Sequence, residues 1–168
     1  MEGYVRVEPK ELMENAFRLI GVDWMLITAG NPGSFNTMTA SWGGLGVLWN
    51  KNVCFIFIRP QRYTYEFMER SEFFTLSFFE EKYRKALQFC GAHSGRDTDK
   101  VAKTGITPRS GEHGSVFFDE ARVVMECRKI YFQDIQPGNF LSPEIAPNYQ
   151  SGDYHRMYIG EMLGCWEK

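Results

Sequence analysis

Val53-Cys-Phe-Ile-Phe-Ile58, followed directly by Arg59-Pro-Gln-Arg-Tyr-Thr64, is the stretch whose reading decides the fold. An unbroken apolar run this short, rich in aromatic and β-branched residues, reads as a strand buried on both faces. Such a strand needs partners on either side, which puts it at the centre of a sheet. Pro60 cannot donate to a ladder and stops the run, and Tyr63, Phe67 and Met68 then fall at the spacing of a short helix.

Upstream of this strand, Asp23 to Thr28 and Thr37 to Leu48 read as strands, joined by the turn formers Ala29-Gly-Asn-Pro-Gly-Ser34 into a hairpin. Before them, Glu8 to Ile20 reads as a helix, with Pro9 in its first turn and Leu12, Ala16, Leu19 and Ile20 on one face. Downstream, Glu72 to Phe79 is the next strand, and Tyr83, Ala86, Leu87 and Cys90 mark a helix ending near Gly91. After the polar segment Ser94 to Lys100 come a short helix, Gly- and Pro-punctuated chain to Ser115, and strands at Ala121 to Phe132 and Tyr154 to Cys165. Gln136 to Gly152 reads as an irregular loop. About six strands with helices between them, and no regular βαβ alternation, predict a mainly β fold: a closed or split antiparallel barrel with helices packed outside.

A chain of 168 residues has the length of one domain, expected here over 1–168, and buries roughly 70% of its unfolded surface. With 43% hydrophobic and 15% aromatic residues it folds rather than remaining disordered. Its 19 basic and 21 acidic residues give net −2, which argues against a nucleic-acid partner. Cys54, Cys90, Cys127 and Cys165 stand far apart, without a CxxC pair, in apolar surroundings, which predicts buried thiols and no metal. The charged N-terminus lacks the apolar core of a signal peptide, and no apolar run approaches the roughly 20 residues of a membrane span. The expectation is a soluble, cytoplasmic protein with no membrane partner.

Three polar clusters stand out from this background. Between Trp24 and Asn50 no side chain is charged, yet Asn36-Thr-Met-Thr-Ala-Ser-Trp42 offers several hydrogen-bonding groups, suited to the edge of a heteroaromatic ligand or to the solvent face of a strand. Arg59, Arg62 and Thr64 lie where a strand ends and a helix begins, which suits an anion or an ordinary capped turn. Ser94-Gly-Arg-Asp-Thr-Asp-Lys100 reads either as a loop closing on an anionic group or as a solvated loop with Asp97 as a helix N-cap. Strand alternation puts His155 and Glu161 on one face, while His93 and His113 in Gly-rich loops receive no role. There is no Ser/His/Asp order, HExxH, Walker loop or GxGxxG, so hydrolase, zinc-protease and Rossmann readings have no anchor.

Taken in order, Asn36-x-Met-Thr-Ala-Ser-Trp42, Arg59-Pro-x-Arg-Tyr-Thr64, Ser94-Gly-Arg-Asp-x-Asp-Lys100 and His155-x-x-Tyr-Ile-Gly-Glu161 resemble the flavin reductase-like, FMN-binding split-barrel family, in particular its flavoredoxin group. The resemblance runs from about Asp23 to Glu161 and implies a six-stranded Greek-key split barrel, a homodimer, and FMN at or near the subunit interface. It implies that Asn36, Met38, Thr39, Ala40 and Ser41 line the isoalloxazine and ribityl chain. Arg59, Arg62, Tyr63 and Thr64 are then expected around the phosphate, and Ser94, Gly95, Arg96 and Lys100 close the site. His155 matches a histidine near the nicotinamide, and Arg96 or Lys100 is a candidate cation for the reduced flavin. The implied activity is an NAD(P)H-dependent FMN reductase that passes hydride from NADH or NADPH to flavin N5, with an oxygenase as a candidate recipient. The alternative is a flavoredoxin-like electron carrier served by a redox protein partner. An FMN oxidase acting on small amines, on the pyridoxamine-phosphate oxidase pattern, is disfavoured by the motif order and by the lack of a second basic cluster.

Overall fold

The computed structural model describes residues 1–168. The strands are β1 (Val5–Val7), β2 (Met25–Asn31), β3 (Ser34–Ala40), β4 (Gly43–Leu48), β5 (Lys51–Ile58), β6 (Phe73–Phe78), β7 (Pro108–Ser110), β8 (Val116–Phe118), β9 (Val123–Asp134) and β10 (Arg156–Glu167). The α-helices are α1 (Ala16–Arg18), α2 (Tyr63–Arg70), α3 (Arg84–Ala92) and α4 (Lys100–Thr104). One antiparallel sheet runs in the order β3-β2-β6-β9-β10-β5-β4, with β1 added on β10, while β7 and β8 form a separate hairpin.

The predicted strand Thr37 to Leu48 is two strands, and this difference shapes the molecule. It breaks at Ser41 and Trp42, and its halves β3 and β4 stand at opposite ends of the sheet order. The sheet therefore rolls up around a common interior filled by Ile27, Met38, Ile56, Leu76, Met125 and Tyr158. With β1, which its three residues concealed in the sequence, that break raises the six expected strands to eight in the main sheet.

Period-two alternation sorts the side chains. On β2, Met25, Ile27 and Ala29 enter the barrel interior, while Leu26 joins a second cluster outside it with Leu87, Cys90, Phe117, Phe118, Val124 and Trp166. The central strand β5 lies between β10 and β4, as its sequence predicts. Cys54, Ile56 and Ile58 are fully buried on its inner face, whereas Phe55 and Phe57 on the outer face are only half-buried. A two-residue turn delivers β4 into β5: Trp49 and Asn50 have φ of 52° and 57°, the left-handed pair whose twist matches flanking strands. All four cysteines are buried free thiols.

The expected helix over Glu8 to Ile20 is broken. A 3-10 turn at Pro9–Glu11 gives way to extended chain, the Asn15 side chain accepts the Arg18 N–H at 3.1 Å to start α1, and a wider turn follows over Leu19–Asp23. Asn competes with helix by such local bonds and favours helix starts, so it restarts the helix where the apolar spacing suggested continuity. Arg122 fastens the segment by pairing with Glu14 and, at 3.0 Å, with Asp23.

The close approach of β4 and β5 requires glycine at one place. A Cβ on Gly43 would stand 2.7 Å from the Phe55 carbonyl oxygen, whereas one on Gly44 would meet nothing nearer than 3.6 Å. Gly43→Ala is expected to lower stability by about 1–3 kcal/mol in urea unfolding, the usual cost of overpacking, and Gly44→Ala to change it by about 0.5 kcal/mol or less. Equal effects of the two substitutions would show that the backbone gives way freely here.

Candidate functional site

The end of β5, the start of α2, the middle of β3 and the segment leading into α4 meet around a cleft of about 200 Å³. Asn36 Nδ2 donates to the Thr64 hydroxyl at 2.7 Å, which ties β3 to the first turn of α2. Both residues are buried, and the Asn36 amide also donates to the Thr37 carbonyl at 3.3 Å. Gly95 lies directly over this pair: a Cβ there would run into the Asn36 amide and approach the Tyr63 ring to 3.2 Å. Only glycine lets the 94–96 segment close on the site.

Lys100 opens α4 and is only 6% exposed. Its ammonium donates to the Thr37 carbonyl at 2.7 Å and to the Cys90 carbonyl at 2.8 Å, with no carboxylate in contact. Burial lowers its pKa to about 8; the nearby Arg62 acts in the same direction and Cys90 opposes it. The Arg62 side chain is half-buried, forms neither an ion pair nor a hydrogen bond, and has a pKa lowered by burial and by repulsion from Arg59. Both cations line the cleft, and no Asp or Glu does. The helix is capped by Asp99, which accepts the Ala102 N–H at 3.0 Å, rather than by Asp97 as expected.

The other two arginines of the predicted site are already engaged. Arg59 pairs with Asp153 at 2.5 Å, donates to the Asn148 carbonyl at 2.8 Å and lies 5.3 Å over the Tyr149 ring. Its hydrogen bond holds the Asp153 carboxyl below the usual range. Arg96 pairs with Glu66, donates to the Gln61 carbonyl at 3.1 Å and stacks 4.8 Å over Tyr63. Ser94 accepts the Arg96 N–H at 3.2 Å, which shapes the turn.

Met38 is shared with a second cleft, also of about 200 Å³, lined by Thr39, Ala40, Ser41, Trp42, Phe57, Arg59 and His155. The Thr39 hydroxyl is turned toward α3, where it donates to the Leu87 carbonyl at 2.5 Å. His155 is 8% exposed, with Trp42 at 5.3 Å and Phe57 at 6.4 Å between ring centroids. Burial, then Arg59, lowers its pKa to about 4, against the weaker opposing pull of Asp153. The imidazole is therefore neutral near pH 7. Glu161, expected beside it, instead pairs with Lys51 at 2.6 Å and Arg128 at 2.7 Å and lines neither cleft.

Trp42, Phe57, Tyr149 and Asp153 surround His155 without having been singled out in the sequence. Trp42 and Phe57 stood in stretches read for other reasons. The one signal for the others was the concentration of aromatic residues, Phe140, Tyr149 and Tyr154, in a loop otherwise rich in Pro, Gly and Asn.

A rolled antiparallel sheet with helices outside, and two clefts strung along one edge strand, defines a split-barrel domain. The chain belongs to the flavin reductase like domain family, whose profile matches residues 17–168. No curated protein matches it in sequence. Among solved structures it resembles an FMN-binding protein from Thermus thermophilus with bound p-hydroxybenzaldehyde, at TM-score 0.69 and 19% identity, covering 86% of this chain and 71% of that one. It also resembles the flavoredoxin of Desulfovibrio vulgaris (Miyazaki F), at TM-score 0.68 and 24% identity, covering 86% and 69%. A third is an NADH:FAD oxidoreductase of Streptomyces globisporus in complex with NAD and FAD fragments, at TM-score 0.63 and 18% identity, covering 87% and 74%. The architecture is thus that of flavin reductase-like oxidoreductases.

The buried ammonium gives a signed pH dependence. Because the folded pKa of Lys100 is about 8 against the ordinary 10.5, the unfolded chain binds more protons between those values. The cost of burying the charge is therefore present below about pH 8 and is relieved as pH rises toward 10.5. Thermal unfolding of the ligand-free protein is expected to show wild type gaining stability relative to Lys100→Met between pH 7.5 and 9.5. A pH-independent difference would place the amine in solvent.

Proposed function

We propose that this chain binds FMN and acts as an NAD(P)H-dependent flavin reductase. The observation that carries the reading is the pair of uncompensated cations, Arg62 and Lys100, at one end of a track that contains no carboxylate and continues past Met38 into an aromatic cleft whose one charged residue, Arg59, is paired with Asp153. A phosphate dianion is what such a pair lacks, and a planar heteroaromatic ring suits the far end.

In this reading Arg62, Thr64 and Lys100 hold the phosphate, with Tyr63, Ser94 and Gly95 closing over it. Asn36, Met38, Ala40, Ser41 and the main chain of Thr39 line the rest of the cofactor. Arg59 and Arg96 act one step back, holding the 148–153 and 61–66 segments in place through the pairs described above. FMN, when bound, supplies the redox chemistry, and the protein supplies binding, orientation and electrostatics. The neutral His155 places no like charge against an incoming electron donor, and Trp42 and Phe57 give that donor apolar edges. The nicotinamide part of the proposal draws support from the Streptomyces globisporus relative. The flavoredoxin likeness favours the second reading, an FMN electron carrier served by a protein partner. A homodimer is part of the proposal, because Phe17, Val47 and Trp49 are 89%, 74% and 55% exposed, apolar surface that a second copy would cover.

An anaerobic absorbance spectrum of FMN-reconstituted, desalted protein tests cofactor and activity together. Rapid bleaching by NADH or NADPH is the expected result, and a flavin band that persists with both nucleotides would replace the reductase by the electron carrier. Arg62→Ala is expected to weaken FMN binding by about 1.5–3 kcal/mol, the range for a hydrogen bond to a charged group, with riboflavin affinity unaltered. An equal loss for riboflavin would move the phosphate away from Arg62.

A further inference from the structure

The segment between β9 and β10 has an irregular sequence pattern, yet it is fixed beside the second cleft. Arg59 grips it at Asn148 and Asp153, Gln61 donates to Asp153, and Phe140 stacks on Tyr149 at 5.8 Å and 14°. Tyr154 completes a three-ring cluster, 5.0 Å from Tyr149 and 6.1 Å from Phe140. All this anchorage converges on one polar contact: the Tyr149 hydroxyl lies 2.9 Å from His155 Nδ1, and neither that hydroxyl nor the imidazole forms another side-chain hydrogen bond.

We infer that Tyr149 is a positioning residue whose phenol donates to His155 Nδ1, fixing the tautomer in which Nε2–H is offered to the second cleft as a donor for a ligand's carbonyl oxygen. The direction of the bond follows from chemistry. A phenol always has a proton to give, and the unprotonated nitrogen of an imidazole is a better acceptor than a phenol oxygen. In the reverse arrangement the buried Tyr149 proton would have no partner, a costly orphan at a residue 7% exposed. The other nitrogen must then carry the ring proton, since a neutral imidazole has one donor and one acceptor.

The charged groups facing the ring are Arg59 and Asp153, which are paired with each other. Burial keeps the imidazole unprotonated down to about pH 4 and pushes the Tyr149 hydroxyl up, so both partners hold the same protonation state across the neutral range. The result is a fixed, uncharged N–H donor beside Trp42 and Phe57. Its complement is a planar molecule bearing a carbonyl: a carboxamide, an aldehyde or an enone. This ligand class rests on the flavin reading above, whereas the tautomer does not.

The tautomer is read directly by nitrogen-15 NMR of the ligand-free protein, with His155 distinguished from His93 and His113 by its loss in His155→Gln. The expected spectrum shows His155 protonated at Nε2 and bare at Nδ1 from pH 6 to 8. Tyr149→Phe, which keeps the ring stack, should allow the Nδ1–H form to appear. In FMN-loaded protein the same variant should raise KM for a carboxamide-bearing reducing nucleotide about threefold to tenfold, the worth of one neutral hydrogen bond, with a much smaller effect on kcat. A wild-type His155 protonated at Nδ1, or a tautomer indifferent to Tyr149→Phe, would overturn the inference. Failure of the wild type to retain FMN would instead overturn the flavin reading and leave the NMR result standing.

Discussion

An ammonium group held inside a protein by two carbonyl oxygens and no carboxylate is an expensive arrangement, and the site is organised around it. Lys100 joins the Thr37 carbonyl of β3 to the Cys90 carbonyl of α3, so one side chain fastens an edge strand of the barrel to a helix outside it. A carboxylate within reach would have satisfied the charge, yet the nearby acids are used elsewhere: Asp99 caps α4, and Glu66 of α2 pairs with Arg96. Arg62 adds a second unpaired cation to the same cleft. Two like charges sharing a half-buried space repel each other, which is the feature on which the proposed phosphate site rests.

The four basic residues of the predicted site therefore divide into two kinds. Arg62 and Lys100 have charge to spare; Arg59 and Arg96 have spent theirs on Asp153 and Glu66. The distinction follows from reach. Arg59 follows the end of β5 against the 148–153 segment, and Arg96 lies over Tyr63 beside Glu66, so each has a carboxylate partner although it also borders a cleft. Their pairs are part of the walls, so the charge without a carboxylate partner is concentrated at the Arg62 and Lys100 end.

Those divisions mark the limit of what the sequence could say. The central strand was legible because Val53 to Ile58 is a pattern that tolerates few alternatives, and the clusters around Asn36, Arg62 and Gly95 were legible because short polar motifs interrupt apolar chain. Whether a given arginine is free or paired was not legible, since Asp153 is 94 residues from Arg59 and Glu66 is 30 from Arg96. The broken N-terminal helix was missed because apolar spacing says which side faces the core but not whether the axis continues, and Asn15 turns the chain through a local bond. The role of Tyr149 lay hidden for the same reason as that of Asp153: an irregular segment shows no periodicity, and its order comes from tertiary anchors.

One break in the chain links fold to site. Had Thr37 to Leu48 continued as a single strand, β4 would have extended the β3 edge, and the sheet would have had no cause to close. At Ser41 and Trp42 the ladder is given up. The chain crosses to the other end of the sheet order, and Gly43, without a Cβ, lets it settle against the Phe55 carbonyl. The residues at the crossing belong to neither strand, so Trp42 is free to leave the barrel wall and stand against His155, 47% exposed. The same two residues that close the barrel thus form one wall of the cleft, and the half-buried outer face of β5, through Phe57, supplies the other. A strand apolar on both faces, which the sequence shows plainly, is in this way apolar for two purposes: Cys54, Ile56 and Ile58 fill the core, and Phe57 borders the second cleft.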